Sequence, residues 1–164
     1  MKQPYTLEEI YNITKEHLIS KGYKVETNAI NESYLSLTLE IKAGRSRSKC
    51  YIGVSNTNTV LFSLVKKYKI PADKTDEIER FSDIVGFVDF LGNRKMIVGG
   101  DLEGEWLSFL CQYYIECDVI FKNPDIISET VEELKEKITA FKNSVFYITE
   151  GKGTAEEAYA KFYK

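Results

Sequence analysis

The side chains that most often carry out chemistry are sparse in this sequence. Its one histidine, His17, lies at the edge of an apolar helical stripe, where packing or a local hydrogen bond is commoner than catalysis. Neither a G-x-S-x-G motif nor another nucleophile–base pair accompanies it. The three cysteines, Cys50, Cys111 and Cys117, are odd in number and lack a C-x-x-C pair, which indicates reduced, buried thiols. We therefore predict no catalytic residue and no enzyme.

Metal and phosphate sites are equally poorly supported. On one predicted strand, Cys111 and Cys117 would stand about 20 Å apart, too far to share a zinc ion. Asp101, Glu103 and Glu105 are close enough for Ca²⁺ or Mg²⁺, but they lack EF-hand spacing, so an acidic turn is the simpler interpretation. Residues 151–154 (GKGT) lack the first glycine and the four-residue spacer that precede G-K-[ST] in a Walker A loop, so they do not indicate a nucleotide site. We expect no metal and no cofactor.

Composition limits the class of protein. The chain has 164 residues, 43% of them hydrophobic, and a net charge of −3, which favours one folded domain over a disordered chain. No stretch reaches the roughly 20 apolar residues of a membrane span, and no signal peptide is recognisable. The only dense basic run, residues 45–49, is interpreted as a turn between strands. We therefore expect a cytoplasmic protein that binds neither nucleic acid nor membrane.

Local patterns predict the first half of the fold. Thr6 and Glu9 form a capping box, and apolar residues at helical spacing follow, so a helix is expected over 6–21. Residues 34–42 alternate strictly between apolar and polar, which is typical of a strand with one buried face. Two further strands are expected around residues 50–55 and 59–65.

The second half begins with a predicted helix at 75–91, which carries a wide apolar stripe. A short strand at 95–98 should then lead into a glycine-rich turn around residues 99–104. A long alternating strand is predicted over 107–119. Trp106, Leu110 and Tyr114 fall on its nominally wet face, which suggests that another element or another chain covers that face.

A heptad repeat is the most regular feature of the sequence. Apolar residues recur at intervals of four and three over about 22 residues, which predicts a long helix. Either this apolar seam packs on the protein's own sheet, or it forms a subunit or partner interface. The candidate interface residues on the second interpretation, together with the outward aromatic residues, are Ile127, Val131, Leu134, Ile138, Phe141, Val145, Trp106 and Tyr114.

These elements together predict an α+β fold: an antiparallel sheet with an N-terminal, a central and a long C-terminal helix packed on it. Residues 1–150 should form this single domain. Residues 151–164 should form a short helix after a glycine hinge, where Thr154 and Glu157 repeat the capping-box spacing.

The order of elements from residue 6 to 149 resembles the YbjN-like bacterial regulator domain, whose fold is shared with class I type III secretion chaperones. The resemblance rests on a first helix ending in residues 21–23 (KGY), meandering strands, a helix after Pro71, a hairpin at 101–104 and a long last helix. It implies a non-enzymatic, often dimeric, protein-binding domain and supplies no catalytic residue.

Three functions remain open on the sequence. The first is a protein-binding, chaperone-like or regulatory domain that forms a homodimer. The second is a small acidic immunity or inhibitor protein that presents Asp101, Glu103 and Glu105 to a basic partner. The third is a small-ligand binder with a pocket between sheet and helix.

Overall fold

A seven-stranded antiparallel sheet organises the residues that the computed structural model describes, which are 4–28, 34–43, 45–55, 57–91 and 94–163. The spatial order of its strands is β1-β2-β3-β4-β7-β6-β5. The strands in chain order are β1 (Val25–Thr27), β2 (Tyr34–Ala43), β3 (Ser46–Ser55), β4 (Thr59–Lys69), β5 (Phe87–Leu91), β6 (Arg94–Glu103) and β7 (Trp106–Glu116).

The helices pack against one face of this sheet, which confirms the predicted α+β class. They are α1 (Leu7–Ser20), α2 (Thr75–Val85), α3 (Cys117–Lys122), α4 (Asp125–Thr149) and α5 (Ala155–Phe162). Within the ranges given above, no helix combines the length and the apolar character needed to cross a membrane.

The first helix and the second strand form as the sequence predicts. The Thr6 hydroxyl accepts from the Glu9 N–H at 3.1 Å, and the Glu9 carboxylate accepts from the Thr6 N–H at 2.6 Å, which is a complete capping box. In β2, Leu37, Leu39 and Ile41 are buried on the helix-covered face. The period of two therefore selects which face of the sheet is in the core.

The centre of the core is aromatic. Phe141 of α4 stacks on Phe109 of β7 with ring centroids 4.1 Å apart, and it also contacts Phe81 of α2 and Tyr68 of β4. Phe81, Phe109 and Phe141 are fully buried. The long helix is thereby fixed on the protein's own sheet.

The predicted helix at 75–91 is wrong in its last third. Helix α2 ends at Val85, and residues 87–91 form β5, which pairs with β6 from Phe87↔Val98 to Leu91↔Arg94. Gly86 ends the helix in an extended conformation (φ −73°, ψ 119°). The aromatic and β-branched residues that follow Gly86 favour a strand over a continued helix.

Two predicted turns are present but shorter than expected, because the strands extend further. Ser46 to Lys49 belong to β3, where Ser46 pairs with Ala43, so only Arg45 of the basic run lies in a turn. Residues 99–101 belong to the ten-residue strand β6, and the turn is at Gly104 and Glu105. Gly104 has a φ of 62°, a conformation that favours glycine.

The long strand predicted to reach Val119 ends at Glu116. The Cys117 N–H donates to the carbonyl of Asn58, and the chain then turns into α3. Apolar residues at 115, 117 and 119 fit a strand by their alternation, although 117 and 120 are the buried pair of a short helix. Periodicity alone does not separate the two structures over so few residues.

The C-terminal helix shares the core of the preceding residues. Ala155 and Ala158 are fully buried, and the Ala155 N–H donates to the Glu77 carboxylate of α2 at 2.6 Å. A Cβ atom on Gly153 would meet the Tyr147 ring, so a larger residue there would displace that side chain. Residues 151–153, predicted as a hinge, thus connect two packed helices.

His17 links α1 to α4, with its Nε2 atom 2.9 Å from Oγ of Ser128. Burial lowers the pKa of His17, Lys21 lowers it further, and Asp125 opposes both. Because the folded-state pKa lies below the unfolded value of about 6.5, the unfolded chain binds more protons, and stability declines as the pH falls through that value.

We therefore expect the free energy of unfolding to be lower at about pH 5.5 than at about pH 7.5, and the difference to shrink in His17→Gln. Urea unfolding of both proteins at the two pH values measures this. The same pH difference in the variant and the unmodified protein would show that His17 contributes nothing.

Candidate protein-binding surface

The heptad residues proposed from the sequence as an interface are inside the protein. They face the sheet and its aromatic core, where each is at most 3% exposed, so they offer no surface to a partner in this structure. This corrects the interface interpretation of the seam and supports packing on the protein's own sheet. The six residues are Ile127, Val131, Leu134, Ile138, Phe141 and Val145.

Trp106 and Tyr114 lie elsewhere, on the sheet face opposite the helices. Trp106 is 52% exposed and Tyr114 is half-buried. In the described part of the chain, helices cover only the other face, so we call this one the open face. The prediction that these two aromatic side chains point away from the core agrees with their positions.

Apolar pairs alternate with the polar pairs Ser63–Gln112 and Lys67–Ser108 along the two central strands of the open face. The register of β4 with β7 pairs Leu61 with Tyr114 and Val65 with Leu110, and it ends with Lys69 beside Trp106. Paired residues of an antiparallel ladder project to the same side. Val65 is 52% exposed. We call these five apolar residues the apolar strip: Leu61, Val65, Trp106, Leu110 and Tyr114.

Hydrogen bonds hold the middle of the strip in place. The Gln112 side-chain amide donates to the Ser63 hydroxyl at 3.2 Å, and the Tyr114 hydroxyl donates to the Gln112 carbonyl oxygen at 3.2 Å. The Lys95 ammonium lies 5.8 Å from the Tyr114 ring centroid. Oriented side chains of this kind lose little further conformational freedom on binding.

Opposite charges flank the strip on its two sides. Basic residues stand on β2, β3 and β4, and acidic residues stand on β6. Arg47 is exposed, and its Nε atom lies 3.8 Å from a Glu40 carboxylate oxygen. At this end of the open face, β6 carries Asp101 and Glu103, and β2, β3 and β4 carry five basic residues and one acidic residue: Lys42, Arg47, Lys49, Lys67, Lys69 and Glu40.

The acidic run is therefore not one turn. Asp101 and Glu103 pair with Ser108 and Trp106 within the sheet, and only Glu105 lies in the turn. Among the residues that the structure describes, no group of three or more His, Cys, Asp or Glu side chains is arranged to hold a metal ion.

The three thiols are free and buried in the core. Burial raises the pKa of Cys50 and Cys111 to about 12, and that of Cys117 to about 11. Because the thiolate is the nucleophilic form, these groups are held in their unreactive state. Cys50 on β3 and Cys111 on β7 are both cross-strand partners of Leu64 on β4, which lies between them.

Two strip residues, Leu61 and Val65, are not identifiable as surface residues from the sequence. They lie in the run 59–65 (TVLFSLV), where Val60, Phe62 and Leu64 are buried on the helix side. When both odd- and even-numbered positions of a strand are apolar, the sequence does not show which face is buried. One sequence feature could have indicated their position. Leu61 and Val65 are four residues apart, the same spacing that separates Trp106, Leu110 and Tyr114 on the outward face of β7.

Comparison of this chain with protein-family models, with curated proteins and with solved structures gives no match. The resemblance to the YbjN-like domains therefore stays a prediction.

Proposed function

We propose that the chain is a non-catalytic protein-binding domain that forms a homodimer through its open face. The observation that carries the proposal is the apolar strip, with Val65 in the middle of β4 and Trp106 at the start of β7 each 52% exposed on the two central strands of the sheet. Exposed apolar surface of this kind on a folded domain marks an interaction site more often than chance exposure does.

A second copy fits this face because the face is complementary to itself. A two-fold axis parallel to the strands, between β4 and β7, brings each β4 residue opposite its β7 neighbour in the other copy. Val65 then meets Leu110, and Leu61 meets Tyr114. Isologous interfaces have this reciprocal pairing, and packed sheets align about 10 Å apart.

The same axis brings the two charged sides together. The β3–β4 register, extended by three residues beyond Cys50↔Leu64, aligns Arg47 with Lys67. Lys67 pairs with Ser108 on β7, and Ser108 pairs with Asp101 on β6, so these four residues lie in one row across the sheet. Since β3 and β6 are equally far from the axis, Arg47 of one copy faces Asp101 of the other. The interface thus contains this ion pair twice, around an apolar centre.

We assign the dimer to the cytoplasm. The free, buried cysteines support this assignment, because disulfides are rare in a reducing compartment. Within the proposed function, the domain acts by association and not by catalysis.

Charge reversal tests the arrangement. Arg47→Glu and Asp101→Lys should each raise the dimer dissociation constant about tenfold, because each places like charges opposite one another. The double variant should recover most of the lost affinity, since the pair is restored with its signs exchanged. Sedimentation velocity over a concentration series measures all three.

Lys142→Glu is the matched control, because this residue lies on α4, on the other side of the sheet. It should leave the dissociation constant unchanged. Additive losses in the double variant, or an equal loss in the control, would show that the two charges do not meet.

A further inference from the structure

A cleft lies at the outer edge of the sheet, away from the apolar strip, and shares Glu40 and Lys42 with the edge of the open face. It has a volume of about 360 Å³ and lies between the link from α1 to β1, the outer edge of β2 and the side of α4. This volume falls within the range of small-ligand sites. Lys24, Lys42 and Lys135 line it together with one acidic residue, Glu40.

The charge of the cleft is opposite in sign to that of the protein. Three lysines line it with the Glu40 carboxylate, and the Glu132 carboxylate reaches the Tyr23 hydroxyl beside it, whereas the whole chain has a net charge of −3. The Glu40 carboxylate lies 3.8 Å from Arg47 on the open face, so an arginine outside the cleft compensates its charge. An anion in the cleft therefore meets a net positive field.

The backbone of β2 adds a hydrogen-bond donor to the cleft. β1 pairs with residues 37–39 of β2, and the Glu40 N–H donates to the Lys24 carbonyl at 3.4 Å, just before the first strand begins. β2 continues to Ala43. Alternate residues of a strand direct their N–H groups to the same edge, so Lys42 directs its own N–H toward the cleft.

The remaining walls are apolar. The Tyr23 ring lines the cleft, and its hydroxyl is held by the Glu132 carboxylate of α4. The methylene stems of the lysines extend the apolar wall, as long basic side chains do when their charged ends stay in water. Ile41 and Val131 close the base.

We propose that this cleft binds a small organic carboxylate with an aliphatic body. The carboxylate accepts from the Lys42 N–H and from the lysine ammonium groups, while the aliphatic chain lies on Tyr23 between the lysine stems. Charge-assisted hydrogen bonds fix the anionic end, and apolar burial provides chain-length preference. The site uses none of the five residues of the apolar strip, through which the proposed dimer forms.

The test is a titration of the full chain with sodium octanoate, followed by the backbone amide resonances. We expect saturable shifts at Gly22, Lys24 and Lys42. Acetate should bind at least about tenfold more weakly, because it lacks the aliphatic body. Octanol, which has the body without the charge, should produce no saturable shift at these residues.

Lys42→Gln combined with Lys135→Gln should weaken octanoate binding about tenfold or more, with Lys142→Gln as the matched control. Both lysines are on or near the surface, and the amide spectrum of each variant reports directly on its fold. Octanoate binding unchanged by the double variant, shifts centred on Val65 and Trp106 instead, or inorganic phosphate binding as tightly as octanoate would each overturn the proposal.

Discussion

Val65→Asp is expected to give a folded monomer. The side chain is half-exposed in the single chain, so an aspartate there remains hydrated and does little to the free energy of unfolding. In the dimer the same aspartate would be buried against Leu110 of the second copy, where the apolar contact of Val65 is lost and the carboxylate is desolvated beside Lys49 and Lys67 of its own chain. Desolvating the carboxylate and losing the apolar contact should raise the dissociation constant at least about tenfold.

Ile19→Asp is the matched control for this substitution. Ile19 is also 52% exposed and apolar, but it lies on α1, on the opposite side of the sheet. Sedimentation velocity should show a dimer for Ile19→Asp and a monomer for Val65→Asp at the same concentration. Dissociation of the Ile19 variant alone would place the interface on the helices.

Phe141→Ala is expected to lower the free energy of unfolding by about 3–5 kcal/mol, the usual effect of deleting a fully buried aromatic side chain. Phe141 stacks on Phe109 and contacts Phe81, so the cavity would form in the middle of the core. Urea unfolding measures the change. The Val65→Asp background should be used, because dimerisation otherwise adds a concentration-dependent contribution to stability.

The same helix offers the control for that measurement. Phe146, five residues further along α4, is 45% exposed and lies beside the Lys142 ammonium. Phe146→Ala should cost less than about 1 kcal/mol. Equal costs for the two alanine variants would mean that the heptad seam does not face the sheet, and would return the seam to consideration as an interface.

The elements predicted best from the sequence are those whose pattern repeats over many residues. Helix α4 was expected from its heptad spacing, α1 from the Thr6–Glu9 capping box, and β2 from the alternation of Leu37, Leu39 and Ile41. In each case several residues repeat at the spacing of one secondary structure, and in α1 the capping box also marks where the repeat begins. A single exception therefore does not change the prediction.

Boundaries were predicted poorly where one apolar segment fits both periods. Val88 and Leu91 continued the helical stripe of Phe81 and Val85 when only the sequence was considered, although the helix ends before Gly86. Cys117 continued the alternation of β7, although it begins α3. Hydrogen bonds to distant residues decide both cases, as with the Cys117 N–H and the Asn58 carbonyl, and no local pattern contains that information.

The β7 part of the apolar strip could be predicted from the sequence, but the β4 part and the charged flanks could not. Trp106 and Tyr114 stand out because they occupy the polar parity of β7, so their outward position could be expected. Val65 became identifiable only when β4 was paired with β7, because the pairing brings it next to Leu110. The charged flanks needed the full strand order, since Arg47 and Asp101 are on strands that are distant in sequence.

The account's central claim is that Val65 of one copy meets Leu110 of another. A nuclear Overhauser experiment filtered for contacts between labelled and unlabelled chains, on an equimolar mixture of the two, measures this most directly. We predict intermolecular contacts from the Val65 methyl groups to Leu110 and from Leu61 to Tyr114. A sample that is monomeric at millimolar concentration, or whose intermolecular contacts come from Ile19, Phe121 or Phe146 on the helices, would contradict it.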